Sequence, residues 1–436
     1  MSLRKLVSSA RCAQAAWCEV PVSDRGGVVL RFADALRRRA EECALTLTRD
    51  TGKPLSQSMK EVKATVVRVE FFAKQAAKAL KTQRVTTGPV DEEIVFEPLG
   101  VVANISAWNY PYFVGSNVWA PALVAGNAVI YKPSEYCAHT GLLVENLWKE
   151  AGLPKDLFTT TKSVSKETGR RLVDEEDLDM VCFTGSAKTG QIIAEKCGPR
   201  MIKTQLELGG KDAAFVCDDV EHVKKVAQAL ADGAFYNTGQ SCCSIERIYV
   251  QESIYDDFSK YFVEEVESFH IGSEWAKDTY LGPLTLKNQV AFLEAQVQDA
   301  LEKGATLLTT PKKAPTPRHF PPTVLANVTQ NMDVHRHESF GPLVAIAKVT
   351  TDEKAIDLMN DSSFGLTAAV YSSKKDRALA ILKRLKTGTA YWNCCDRSSP
   401  SLPWQGRNLS GIGITMSHLG IQAMTIPRAY HLNNNY

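Results

Sequence analysis

A chain of 436 residues is too long for one hydrophobic core, so at least two domains are expected. Lys and Arg total 51 against 49 Asp and Glu, a balance of +2 that gives no electrostatic basis for binding nucleic acid or an anionic membrane surface. With 44% hydrophobic and 23% charged residues the composition is that of a soluble globular protein, and its most apolar stretch, 114–131, is broken by Gly115, Pro121, Gly126 and Asn127.

Residues 1–17 carry Arg4, Lys5, Arg11, several serines and no acid. They are read as the first helix of the fold in preference to a mitochondrial presequence. Val29, Phe32, Leu36, Ala40, Cys43 and Leu47 recur at three- and four-residue steps, which predicts one amphipathic helix over 28–49, stopped by Gly52 and Pro54. Met59, Val62, Val66, Val69, Ala73, Ala76 and Leu80 mark a second. Gln83-Arg84-Val85-Thr86, a Gly88-Pro89 turn and Glu93-Ile94-Val95-Phe96 predict a hairpin over 82–98.

From Leu99, apolar strands at 99–105, 128–131, 179–183 and 212–216 alternate with helical patterns at 138–151, 166–174 and 187–198. That texture predicts a parallel sheet covered by helices. A second α/β series runs from about 220 to 425, with helices near 220–235, 252–268, 286–303, 352–360 and 375–386. Its strands fall at 246–250, 342–349, 367–371 and 388–393. Residues 309–322 hold five prolines and read as a surface connection. The eleven cysteines form no Cys-x-x-Cys pair and have no histidine at zinc-ligand spacing, so they are expected to be reduced thiols, with no metal site.

Five segments suit chemistry. Asn237-Thr238-Gly239-Gln240-Ser241-Cys242-Cys243 is a small loop between a helix and a strand that could present a nucleophilic thiol, although a cysteine in a loop is more often structural. Glu207, before Gly209-Gly210-Lys211, could act as a base toward water from a hinge, or be an exposed acid beside a turn. The Asn109 amide, in Trp108-Asn109-Tyr110-Pro111, could donate to an oxyanion or simply shape a turn. Phe183-Thr184-Gly185-Ser186 ends a strand and opens a helix, where Ser186 would cap free N–H groups suited to a phosphate. Lys132-Pro133-Ser134-Glu135 follows another strand end, where ligands gather in such sheets.

In this order and spacing the chain resembles the aldehyde dehydrogenase superfamily from about Trp17 to its C-terminus. Further matching stretches are Thr51-Gly52-Lys53-Pro54, Gly126-Asn127, Gly239-Gln240-Ser241-Cys242, Leu281-Gly282-Pro283 and Glu338-Ser339-Phe340-Gly341-Pro342. The resemblance implies an α/β fold: a Rossmann-like cofactor domain (1–81 and 99–208), an α/β catalytic domain (209–423) and a small β-hairpin oligomerisation appendage (82–98 and 424–436). A homodimer or homotetramer is implied, in the cytoplasm or alternatively the mitochondrial matrix. Cys242 would be the nucleophile, Asn109 with the Cys242 N–H the oxyanion hole, and Glu207 the base for the hydrolytic water. Lys132 and Glu135 would hold the adenosine ribose, Ser186 the pyrophosphate, and Glu338 and Phe340 the nicotinamide end. Ile105, Ser106, Trp108, Ser134, Gly185 and Leu208 complete the implied cofactor site. The aldehyde tunnel would be lined by Tyr110, Phe113, Asn117, Ser241, Cys243 and Arg397. Glu135 would repel a 2′-phosphate, so NAD is expected over NADP. Asn117 and Arg397 make a carboxylate-bearing aldehyde plausible, although Arg397 reads more readily as a solvated charge.

The chain departs from the family at Val118, where most members carry lysine, and at Thr415, where most carry glutamate after the late Gly411-Ile412-Gly413. Those side chains relay the proton of the general base. Their joint loss suggests that Glu207 exchanges its proton through water or backbone carbonyls, with slower deacylation. Members also usually begin some tens of residues earlier. Three other functions compete: a coenzyme-A-acylating dehydrogenase, disfavoured by Glu207; a non-catalytic or redox-responsive homologue using Cys242-Cys243; and an esterase, as a side activity.

Overall fold

The structure, a computed structural model, describes residues 2–85, 90–174 and 177–433. The predicted Gly88-Pro89 turn and residues 434–436 lie outside the described residues. Residues Leu3–Trp17 form a helix whose Leu6, Val7, Ala10 and Trp17 are buried, and Trp17 Nε1 donates to the Leu123 carbonyl at 2.9 Å, so this segment is the first helix of the fold.

The single helix expected over 28–49 is two: Val22–Arg38 and Ala40–Thr51, broken at Arg39 (φ −101°, ψ 24°). Both bury one stripe against the helix Leu55–Ala79, and Arg39 turns its guanidinium to Glu42 and Glu150. Apolar periodicity runs through the bend because the two helices share a core. The stop at Gly52 is as expected, with φ +84°.

Two sheets carry the molecule. The six-stranded one has the order Gly411–Ile412, Lys203–Glu207, Met180–Thr184, Val101–Ile105, Ala128–Lys132, Phe158–Thr160. It is parallel except at the Gly411–Ile412 edge. The seven-stranded one has the order Thr306–Leu307, Thr323–Ala326, Leu343–Val349, Ile245–Gln251, Asp212–Val216, Thr367–Tyr371, Thr389–Trp392, parallel except at Thr306–Leu307. Helices Ala138–Glu150, Lys166–Val173 and Ala187–Cys197 belong to the first series; Val223–Phe235, Tyr255–Ser268, Gln289–Glu302, Asp352–Asn360 and Lys375–Leu382 belong to the second.

A third sheet joins Gln83–Arg84, Val90–Pro98 and Thr425–Asn433, all antiparallel, so the 82–98 segment does pair with itself and with the chain's end. The helix Pro111–Val124 follows no amphipathic pattern because nearly every residue in it is buried, which hides it from periodicity. No helix among the described residues is long and apolar enough to cross a membrane.

Candidate active site

The carboxyl ends of the parallel strands in the six-stranded sheet open into one cavity of about 1310 Å³, above the usual range for a single small ligand. Every residue singled out above as catalytic, cofactor-binding or substrate-lining borders it.

Cys242 reaches the cavity on a strained loop. Asn237, Thr238 and Gly239 are consecutive left-handed residues (φ +54°, +57° and +68°). A side chain at Gly239 would stand 2.2 Å from the Gly341 carbonyl oxygen, so only glycine lets the loop pass there. The loop is pinned by Gln57 Oε1 accepting from Asn237 N–H (3.0 Å), by Thr285 N–H donating to Gln240 Oε1 (2.9 Å), and by Gly282 N–H donating to Thr238 Oγ1 (3.1 Å). Ser244 N–H closes a turn on Ser241 O at 3.1 Å, leaving Cys242 at its tip, half-buried. Its neighbour Cys243 is buried and donates to Asp396 Oδ1 at 3.0 Å. The adjoining Cys242 thiol, burial and the Asp396 charge push the Cys243 thiol well above its ordinary value. Both line the cavity, and Cys242 is the more exposed of this vicinal pair.

Asn109 faces the same loop: its Nδ2 donates to the Gln240 carbonyl at 3.1 Å, which leaves the amide a second N–H. The turn that carries it is clamped by a buried ion pair the sequence reading did not single out. Lys53 pairs with Glu61 and donates to the Asn109 carbonyl at 2.6 Å. Glu61 Oε1 in turn accepts from the N–H groups of Tyr112 (3.0 Å) and Phe113 (3.3 Å), the open donors of the helix that starts at Pro111. In the sequence Lys53 is marked by the Thr51-Gly52-Lys53-Pro54 match alone.

Glu207 is the last residue of the strand Lys203–Glu207 rather than part of a loose hinge, and Gly185 N–H donates to its carbonyl at 3.1 Å. Burial pushes its carboxyl up to about 7, against the opposing pull of a Thr415 hydroxyl hydrogen bond and the Arg68 charge. Val118, the other departure, is a buried core residue. Arg68 also borders the cavity, with no motif in the sequence to mark it. It comes from the helix Leu55–Ala79, is 2% exposed, and stacks over the Phe113 ring at 3.3 Å. It donates to Asn117 Oδ1 (2.7 Å), Phe113 O (3.2 Å) and Ser398 Oγ (2.6 Å). Its position on an apparently amphipathic helix gave no hint of burial.

Elsewhere in the lining Ser186 caps the helix Ala187–Cys197, accepting from Thr189 N–H at 3.4 Å. Lys132 and Lys166 stand on either side of Glu135, each 3.9 Å from a carboxylate oxygen. A helix N-terminus beside such a cationic and anionic pair suits a pyrophosphate and a ribose. Nearer Cys242, Glu338 accepts from Gly210 N–H at 2.9 Å, and burial pushes its carboxyl up to about 8. Phe340, with φ +49°, packs edge-on to Trp108 at 5.4 Å between ring centres. Glu246 holds this segment by accepting from Ser339 and Phe340 N–H groups and pairing with buried Lys211.

The remaining wall is aromatic and mixed in charge. Tyr110, Phe113 and Tyr236 share it with Lys60, Asp232, Asp396 and Arg397. Burial pushes the Asp396 carboxyl up to about 6, while Arg397 is exposed at the cavity wall. Among the described residues no group of three or more His, Cys, Asp or Glu could hold a metal ion.

The model of the aldehyde dehydrogenase family matches residues 1–429. A succinate-semialdehyde dehydrogenase (NADP(+)) of Deinococcus radiodurans is 33% identical over 421 residues, 96% of this chain and 88% of its own length. The crystal structure of an NAD-dependent aldehyde dehydrogenase from Sinorhizobium meliloti superposes with a TM-score of 0.96 at 29% identity, covering 100% of this chain and 87% of that one. Succinic semialdehyde dehydrogenase of Streptococcus pyogenes, in complex with NADP+, gives 0.94 at 29% identity, covering 99% and 94%. The chain belongs to the aldehyde dehydrogenase family, oxidoreductases that convert aldehydes to acids with NAD or NADP.

Proposed function

We propose that Cys242, Asn109 and Glu207 carry the oxidation of an aldehyde to its acid. The observation behind this is that the three line one cavity together with a capped helix N-terminus. The Cys242 thiolate adds to the aldehyde carbon, and the carbonyl electron pair moves to oxygen. The free N–H of the Asn109 amide and the Cys242 backbone N–H stabilise that oxyanion. A nicotinamide dinucleotide, when bound, supplies the acceptor for the hydride that leaves this carbon. Water then adds to the Cys242 thioester, Glu207 takes its proton, and the carbon–sulfur bond breaks to release the acid.

For the dinucleotide, Ser186 with Gly185 would hold the pyrophosphate, Lys132 and Glu135 the adenosine ribose, and Glu338 and Phe340 the nicotinamide end. Ile105, Ser106, Trp108, Ser134 and Leu208 line the path. Glu135 favours NAD over NADP because its carboxylate repels a 2′-phosphate. Lys132 and Lys166 offset part of that charge, which supports NADP as a slower second acceptor.

The substrate reading is an aldehyde with a carboxylate at its other end. It is supported by Lys60 and Arg397 in the wall and by relatives named for succinate semialdehyde. Asp232 and Asp396 in the same wall favour a second reading, an aminoaldehyde. A cytoplasmic homodimer or homotetramer built through the three-stranded sheet, with the domain division given above, completes the proposal.

The test is NADH formation against aliphatic, aromatic, carboxylated and amino aldehydes, with Cys242→Ser as control. Turnover by wild type on a carboxylated aldehyde, and none by the variant, is expected. Activity surviving in Cys242→Ser would eliminate the nucleophile.

A further inference from the structure

A carboxyl that takes a proton from water in every turnover has to be held in both of its charge states. The two side chains expected to attend it by resemblance are absent here, replaced by Val118 and Thr415. We propose that the Thr415 hydroxyl is a two-position rotor that positions Glu207: it donates to the ionised carboxylate, then accepts from the protonated one while its own hydrogen turns to the Trp404 carbonyl. This rests on the reading of Glu207 as the base.

The geometry supports both positions. Thr415 Oγ1 is hydrogen-bonded to Glu207 Oε1 and stands 3.4 Å from Trp404 O. Its backbone cannot drift, because Thr415 N–H donates to Trp404 O at 2.9 Å and Trp404 N–H donates to Thr415 O at 2.8 Å. Thr415 is 1% exposed, so its hydroxyl finds its partners within the protein. Glu207 is fixed from below by its strand pairing with Gly411 and by Gly185 N–H. Only its side-chain torsions remain to be restrained, and Thr415 restrains them. A hydroxyl has one donor and two acceptor sites, so it can serve both states where a Lys–Glu pair would pass the proton on. The proton is never passed to Thr415 and leaves Glu207 through the cavity that Glu207 lines.

The two partners are unequal, since the contact with Trp404 is at the long limit of a hydrogen bond. The rotor therefore favours the ionised carboxylate. The other charged or titratable groups bearing on Glu207 are Arg68, from the helix Leu55–Ala79, and Cys182, from the adjoining strand Met180–Thr184. Burial brings Arg68 down to about 9 and pushes the Cys182 thiol far up, so neither changes charge near neutrality. Cys242 lines the same cavity.

The experiment is an infrared titration of the carboxyl stretch in the purified full chain, assigned to Glu207 by subtracting the Glu207→Gln spectrum. That subtraction also removes Asp396 and Glu338, which titrate nearby at about 6 and 8. Wild type should titrate near 7. Thr415→Ser, which keeps the hydroxyl, should match it, and Thr415→Val should move the midpoint to about 8. Thr415→Ala is read in the same way if the valine variant does not fold. A valine midpoint that stays or falls, or a serine variant that behaves like valine, overturns the rotor. Because the bands need no aldehyde, a wild type that forms no NADH counts against the proposed function alone.

Discussion

Lys53 and Glu61 offer the sharpest separation of stability from catalysis. Their side chains are 2% and 1% exposed, so Lys53→Met leaves a carboxylate buried without its cation. Breaking such a pair costs about 3–5 kcal/mol, or roughly a thousandfold in the unfolding equilibrium. Against a typical stability of about 5–15 kcal/mol the variant should still fold. Adding Glu61→Gln removes the stranded charge yet keeps an oxygen for the Tyr112 and Phe113 N–H groups. The double variant should therefore recover to within about 1–2 kcal/mol of wild type. Urea unfolding of the four proteins of this cycle measures the coupling. Activity should not follow stability: the Asn109 carbonyl has lost Lys53 in both Lys53 variants, so kcat stays low in the stable double variant. A Lys53→Met cost below about 1 kcal/mol, or a double variant that loses the sum of its parts, would refute the clamp.

The raised Glu207 carboxyl sets a pH dependence. A base titrating near 7 is inactive while protonated, so thioester hydrolysis should rise between about pH 6 and pH 8. Stopped-flow NADH traces should show a burst that is larger relative to the steady rate at the acid end; Glu207→Gln should give the burst and then stall at every pH. For the dinucleotide, Glu135→Gln should raise kcat/KM with NADP relative to NAD by about tenfold, and steady-state kinetics with both acceptors would show it. An unchanged ratio would remove Glu135 from the choice.

The fold and the cavity were largely legible in sequence, for identifiable reasons. Strands such as Val101–Ile105 and Met180–Thr184 are apolar runs between helical patterns, and motifs such as Gly239-Gln240-Ser241-Cys242 mark the strand ends and loops that meet at the cavity. What stayed hidden depends on three-dimensional neighbours. The break at Arg39 leaves apolar spacing intact, because both helices feed one core. Strand Lys203–Glu207 alternates weakly and is polar at its start, so it read as the approach to a turn. Arg68 and Lys53 are cations whose burial follows from partners dozens of residues away. Thr415 was visible only as a missing glutamate; that its hydroxyl reaches Glu207 needed the antiparallel edge strand Gly411–Ile412 to be located.

The buried helix Pro111–Val124 constrains how this enzyme could change its diet. Tyr110, Phe113, Val114 and Asn117 meet the cavity from successive turns, while Trp119 behind them is wedged against Phe32 and Trp148. Mutational freedom is thus confined to a single narrow ribbon of side chains. Substitution at Val114 samples new aldehydes while sparing the scaffold; Phe113 and Asn117 also hold the buried Arg68, and randomising the rear of the same helix mostly yields insoluble protein.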